Sequence, residues 1–261
     1  MKKLLIATVI GATVLNMSCK KDPEDAPTIP PADTFEMDFS DFNDGGKSAI
    51  DTTKRDHWGR AAIQVGVWQL ILAGNLAIPV LSFKEAFNHT PSYVSKKEGW
   101  LWEYTVQNWT GTYTCKLYGK LNTSTTDWRM LISKSGSFTD VEWYTGTSQN
   151  DKSAGTWSLN KDALNVTPYL GIDWSKSGTV KTIKYTNINT GASGYGSYIT
   201  HTVDSSKTLD ANYVIHDVAN NYKVDINWSR ATKEGYSNEP GHYLDNDNRC
   251  WDSNLKNKVC N

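Results

Sequence analysis

Four cysteines are the residues of this 261-residue chain whose side chains most readily do covalent chemistry. Cys250 and Cys260 would close a short loop at the C-terminus, and we predict that they form a disulfide, a bond that persists in exported proteins. Cys115 would then remain as a buried thiol in a strand. A metal site on these three cysteines is the alternative, although no CxxC pair and no nearby histidine pair accompanies them.

The histidines and the glycine-rich stretches follow no catalytic pattern. The five histidines lack HxxxH, HxH and HExxH spacing, so a zinc hydrolase has no support. His201 and His216 lie in neighbouring strand-like segments and could face each other near Asp217, but two ordinary strand residues are the simpler interpretation. A nucleophile elbow and a phosphate-binding glycine loop are both missing. We predict no enzyme activity, no metal and no cofactor.

Aromatic residues are the candidate binding groups, because the chain has eleven Trp and thirteen Tyr. Exposed aromatic rings can stack on sugars, whereas buried rings add apolar area to a core. Four tryptophans recur at similar intervals, which favours a core role for them: Trp128, Trp143, Trp157 and Trp174. A second set would form an exposed ligand-binding row if the chain binds carbohydrate: Trp100, Trp102 and Trp109.

The elements that position these residues are mostly strands. From Gly99 onward, polar and apolar residues alternate in ten short runs, the first of which is WLWEYTVQNW and the last YKVDINWSR. Turn signals such as Lys134-Ser135-Gly136 and Lys176-Ser177-Gly178 separate the runs. Parallel crossovers have no room, because no helix-length gap lies between the runs. The pattern predicts a mainly β (α+β) fold with an antiparallel meander of about 8–10 strands.

One segment before the strands has a helical pattern. Ala61 to Phe83 contains no charged residue, and the helix is expected near residues 57–88. A membrane span is the alternative, but two Gln, an Asn, two Gly and Pro79 are unfavourable together in lipid. A helix that is apolar nearly all round belongs in a core. We predict that the meander forms an open or closed barrel around one long apolar helix.

The N-terminus has the composition of an export signal. Lys2 and Lys3 precede a short apolar run, too short to span a bilayer, and small Ser18 precedes Cys19. The sequence MKKLLIATVIGATVLNMSCKKDPED resembles the signals of Bacteroidota-type outer-membrane lipoproteins. The resemblance implies a signal peptide over residues 1–18, lipidation of Cys19, a flexible tether over residues 19–34 and a single β-rich domain over residues 35–261. The charged residues after Cys19 resemble signals for the cell surface, which we favour over the periplasmic face.

Charge and anchoring limit the function. The formal charge of −1 becomes −3 when Lys2 and Lys3 leave with the signal, so nothing favours nucleic acid. We expect an outer-membrane lipoprotein with a non-enzymatic binding or structural role, held to the membrane through Cys19. A hydrophobic-ligand carrier with a cavity between helix and sheet is one alternative, and a carbohydrate-binding or carbohydrate-degrading protein is another. The partner would be a glycan, a lipid or an envelope protein.

Overall fold

A computed structural model describes residues 25–42 and 56–260, except for the side chains of residues 73–75. The α-helices are α1 (Asp56–Glu85) and α2 (Pro240–Tyr243). The strands are β1 (Ser92–Ser95), β2 (Gly99–Asn108), β3 (Gly111–Leu121), β4 (Thr125–Lys134), β5 (Phe138–Gln149), β6 (Ala154–Asn160), β7 (Pro168–Ser177), β8 (Val180–Asn187), β9 (Tyr198–Asp204), β10 (Ala211–Asp217), β11 (Tyr222–Trp228), β12 (Gly235–Asn238), β13 (Arg249–Trp251) and β14 (Asn257–Lys258).

The strands form one antiparallel sheet in chain order, which confirms the mainly β meander. The ten predicted runs correspond to β2–β11, and the turns after β4 and β7 contain Gly136 and Gly178 in the left-handed conformation. Within the described residues the sheet has 14 strands, so the prediction of 8–10 was too low. The additional strands are β1 and β12–β14, which have two to four residues each and are too short to show a period of two.

In the part of the chain that the structure describes, the sheet curls but does not close into a barrel, which makes the closed-barrel alternative wrong. Among these residues β1 pairs only with β2, and β14 pairs only with β13. Even so, α1 contacts both β2 and β12–β14. In a flat sheet, β2 and β12 would be roughly 48 Å apart, at about 4.8 Å per strand. The 22 residues between Arg60 and Ser82 of α1 span only about 33 Å as a straight helix, so the two ends of the sheet must approach each other.

The long apolar helix expected inside a barrel is not what the structure contains. Together with the 3-10 turn Ala86–Asn88 that follows it, α1 is bent by 73° into two arms, Asp56–Leu72 and Leu76–Asn88. Pro79 lies in the second arm. A proline inside a helix removes a hydrogen bond to the carbonyl four residues earlier and crowds it, which for Pro79 is residue 75, between the two arms. Within the described residues no single helix is long and apolar enough to cross a bilayer. Only the two arms taken together reach the length and apolar composition of a membrane-spanning helix.

A buried ion pair attaches the first arm of α1 to the end of β12. The Glu239 carboxylate is buried and accepts hydrogen bonds from Arg60 Nε (2.9 Å) and Gln64 Nε2 (3.0 Å). The guanidinium of Arg60 also donates to the Tyr222 hydroxyl (3.0 Å). The hydrogen bonds to Glu239 raise the pKa of Arg60. The second arm docks on β2, where the Tyr104 hydroxyl donates to the Ser82 carbonyl (2.6 Å).

The segment before α1 also packs on the sheet, on the face that we call the inner face. Pro27 and Ile29 are buried, and Phe35 stacks on Phe83 of α1 with ring centroids 4.8 Å apart. Further along, the Met37 amide donates to the Tyr185 hydroxyl (2.7 Å). The predicted tether, residues 19–34, is therefore packed from Pro27 onward rather than free. Residues 1–24, including the predicted signal and Cys19, lie outside the described residues.

Candidate functional site

The three tryptophans expected to form an exposed row do not form one. Trp102 is buried (3 % exposed), and Trp100 is partly buried with its ring 5.5 Å from that of Tyr93. Trp109 is 92 % exposed but lies in the turn between β2 and β3. Because strand residues alternate between the two faces of a sheet, Trp100 and Trp102 share the inner face of β2, whereas Trp109 lies away from them in the turn. The predicted row is wrong.

Three of the four recurring tryptophans pack into the core over glycines. Trp128, Trp157 and Trp174 are buried on the inner face. Trp157 lies opposite Gly146, where an added Cβ would come within 2.3 Å of the indole ring. The same arrangement occurs at three other cross-strand pairs: Trp128 with Gly119, Trp174 with Gly155, and Trp251 with Gly235. For Trp128, Trp157 and Trp174 the spacing therefore reflects core packing, as favoured from the sequence. Trp143, the fourth of the set, differs: it lies at the bulge of β5, is only partly buried, and packs beside Phe138 with ring centroids 5.6 Å apart.

The two strand histidines do not form a pair. His201 lies opposite Tyr213 in β10, whereas His216 lies opposite Tyr198 in β9. This register places His201 on the inner face with Tyr213, and His216 on the other face. A shared site near Asp217 is therefore wrong, and the simpler interpretation holds. Within residues 25–42 and 56–260, no cluster of three His, Cys, Asp or Glu residues could hold a metal ion.

The cysteines follow the predicted pairing. Cys250 and Cys260 form a disulfide that closes the loop between β13 and the end of the described chain. Cys115 is a buried free thiol on the inner face of β3, and burial raises its pKa to about 12. Such a thiol is fully protonated near neutral pH and is a poor nucleophile.

A polar groove on the opposite face of the sheet, the outer face, is the best candidate site. It has a volume of about 540 Å³, within the range of small-ligand pockets. Four hydroxyl residues form its floor on β5 and β6: Thr145, Thr147, Thr156 and Ser158. Thr145 lies opposite Ser158 and Thr147 lies opposite Thr156, so the hydroxyls form a two-by-two array. Inner-face neighbours Gly146 and Trp157 hold the array in place.

One wall of the groove carries charge. The Arg129 guanidinium on β4 donates to Glu98 Oε2 (2.7 Å) and lies 4.8 Å from the centre of the Tyr118 ring. Next to it, Asp127 accepts hydrogen bonds from Asn122 Nδ2 (2.9 Å) and from the Thr147 hydroxyl (3.3 Å). The ion pair and the ring contact restrict the rotamers of these long side chains. The wall is therefore partly organised before a ligand binds.

The floor hydroxyls have unused hydrogen-bonding capacity. Among the described residues, the hydroxyls of Thr145, Thr156 and Ser158 have no side-chain hydrogen-bond partner, whereas that of Thr147 uses Asp127. A hydroxyl both donates and accepts, so the array can bind a ligand that presents several hydroxyls or amides.

Sequence reasoning treated these groove residues only as strand residues. The signal that could have found them is the pair of short runs TGT and TWS, in which hydroxyl residues flank an inner-face residue. Each run by itself is ordinary for a strand, because Thr is common in sheets. Only the register of β5 on β6 shows that the two runs are adjacent and on the same face.

No family model, curated protein or solved structure matches this chain.

Proposed function

We propose that this chain is a lipid-anchored protein of the bacterial outer membrane with a non-enzymatic binding role, and that the outer groove binds an oligosaccharide. The observation that carries the binding role is the array of four hydroxyls on β5 and β6 beside the Arg129–Glu98 pair. Sugars present rows of hydroxyls that both donate and accept, which matches this array. The anchor is supported by the signal-like N-terminus that ends at Cys19.

The packing favours this role over a hydrophobic-ligand carrier. A carrier would need unfilled space between α1 and the inner face of the sheet. There, Phe83 of α1 packs against Phe35 and Trp157, with ring centroids 4.8 and 5.2 Å away, and all three side chains are buried. The residues that would line such a cavity contact each other instead.

The groove also replaces the tryptophan row as the carbohydrate surface. Tyr118 is an aromatic ring on the outer face of the groove, and Arg129 lies against it. We expect hydrogen bonds between the ligand and the floor hydroxyls, and hydrogen bonds that Asp127 accepts from the ligand, to supply most of the selectivity, because a polar site discriminates against ligands that leave its groups unpaired.

A glycan array tests this proposal. The purified protein is applied to immobilised bacterial and plant oligosaccharides, together with a Thr145→Val/Ser158→Ala variant that removes two floor hydroxyls. We expect the wild type to bind at least one glycan and the variant to bind it about thirtyfold more weakly, since two hydrogen bonds of about 1 kcal/mol each are lost.

The matched control is Thr200→Val, which removes a hydroxyl from the outer face of β9, away from the groove. It should bind like the wild type. Absence of binding to every glycan, or an equal loss in the control, would contradict oligosaccharide binding at this groove.

A further inference from the structure

The first arm of α1 presents an apolar stripe to solvent. Four of its side chains are exposed: Ile63 (51 %), Val67 (50 %), Leu70 (78 %) and Ile71 (41 %). Their spacing of three and four residues places them along one side of the helix. Ala61 and Val65, on the other side, are buried in the core. The arm is therefore apolar on both sides, unlike an ordinary surface helix, whose exposed side is polar.

No charge interrupts this stripe. Between Arg60 and Lys84 the sequence contains no Lys, Arg, Asp or Glu. Isolated exposed apolar residues are normal on a protein surface, but a contiguous group of them indicates a contact surface. The four side chains expose roughly 400 Å², about the size at which such a patch becomes informative.

We propose that this stripe lies against the lipid bilayer and forms a second membrane contact of the anchored protein. The first argument is the short connection to the anchor. Cys19 lies eight residues before Pro27, which is buried against the sheet. Eight residues extend over at most roughly 26–29 Å. Once Cys19 is lipidated, the folded body stays close to the bilayer, where an exposed apolar helix face meets lipid at high effective concentration.

The second argument is the size of the stripe. A stable dimer buries about 800 Å² on each partner, roughly twice the area that the four side chains offer. A bilayer needs no complementary partner surface, because an apolar helix face inserts at the boundary between headgroups and acyl chains. The stripe is also uncharged, so its insertion should depend little on anionic lipid or on salt.

The proposal rests on lipidation of Cys19, and the test separates the two. Lipidated mature protein is reconstituted into phosphatidylcholine liposomes after a single cysteine at Val67→Cys is labelled with an environment-sensitive fluorophore. The label is selective, because Cys19 is blocked by lipid, Cys250 and Cys260 form a disulfide, and Cys115 is buried. Thr112→Cys, exposed on the outer face of β3, is the matched control.

We expect the label at residue 67 to shift its emission to shorter wavelength and to lose most of its intensity when the liposomes contain spin-labelled lipid. The label at residue 112 should show neither change, and the result at residue 67 should be the same at low and high salt. If the protein does not float with the liposomes, the anchor has failed, and the stripe proposal fails with it.

If the protein floats but the label at residue 67 stays unquenched, the stripe proposal alone is overturned. An emission shift in lipid-free detergent solution that depends on protein concentration would indicate a second copy on the stripe and would also overturn it.

Discussion

At the scale of single residues, His201 has the environment with the clearest measurable consequence. Its ring lies parallel to that of Trp228, 5.7 Å away, and 4.7 Å from that of Tyr213. Its Nε2 atom is buried and has no hydrogen-bond partner among the described residues. Burial lowers the pKa of His201 to about 4, against a smaller opposing effect from Asp38, and Arg230 lowers it further.

This environment predicts a loss of stability in weak acid. Below its ordinary pKa of 6.5, His201 binds a proton in the unfolded chain but not in the folded protein until the pH approaches 4. Its contribution to stability is therefore complete above pH 6.5 and is lost as the pH falls towards 4. We expect His201→Phe to reduce the difference in unfolding free energy between pH 7 and pH 4.5 by about 2–3 kcal/mol.

Urea unfolding at the two pH values measures this difference. Thr200→Val, the neighbouring residue on the outer face, should keep the wild-type dependence. If the unfolding free energy of His201→Phe falls between pH 7 and pH 4.5 as much as that of the wild type, His201 does not cause the loss of stability in acid.

At the scale of elements, the tryptophans pack where a glycine in the next strand leaves room for an indole ring. Gly146 lies between Trp128 of β4 and Trp157 of β6 in the strand register. A large ring over a glycine fills the inner face without displacing the backbone. The recurrence of Trp along the sequence is therefore matched by a recurrence of Gly one strand away.

Gly146→Ala should destabilise the protein by about 1–3 kcal/mol, because the new methyl group would overlap the Trp157 ring and the Thr156 carbonyl. Gly66→Ala is the control, since nothing lies within 4 Å of an added Cβ there and alanine favours the helix by about 0.5–1 kcal/mol. Urea denaturation of both variants checks the prediction. If Gly146→Ala and Gly66→Ala change the unfolding free energy equally, the Trp157 ring does not require a glycine at position 146.

At the scale of the whole molecule, the inner face is covered by the segment from Pro27 to Phe42 and by α1. The groove lies on the outer face. Trp228 of β11 donates to Asp41 (2.9 Å), and Phe42 packs edge-on against the same ring with centroids 4.9 Å apart. One end of this segment leads back to Cys19. If Cys19 is lipidated as we propose, the anchor and the folded sheet are joined by one short stretch of chain.

Lipidation of Cys19 can be tested on the whole protein in bacterial cells. We expect the chain to incorporate an alkyne-labelled palmitate and to fractionate with the outer membrane, and we expect Cys19→Ser to lose both properties. The Cys250→Ser/Cys260→Ser variant keeps Cys19 and should keep the label. Label retained in Cys19→Ser would contradict the anchor.

Protease added to intact cells should digest the protein if it lies on the cell surface, as we favour.

Much of the fold could be predicted because it depends on local patterns. The alternation in β2–β11 and the glycine turns specify strands and hairpins within a few residues. The Cys250–Cys260 pair was predictable because it closes a short loop. The four shortest strands were not predictable, since a strand of two to four residues has no measurable period.

The candidate site was much less predictable. The hydroxyls of Thr145 and Ser158 are thirteen residues apart in sequence and become neighbours only through the register of β5 on β6. The exposure of Trp100 and Trp102 was predicted wrongly, because alternation shows that two residues share a face but not which face is covered.

The sequence by itself determined β2–β11, their antiparallel order, the disulfide and the signal-like N-terminus, because each depends on residues that are close in the chain. Tertiary structure decided that the sheet stays open, that α1 bends, which face is buried and where the hydroxyls gather. These features depend on contacts between distant residues, such as Phe35 with Trp157 and Arg60 with Glu239. Such contacts form only when the sheet curls and brings its ends to one helix.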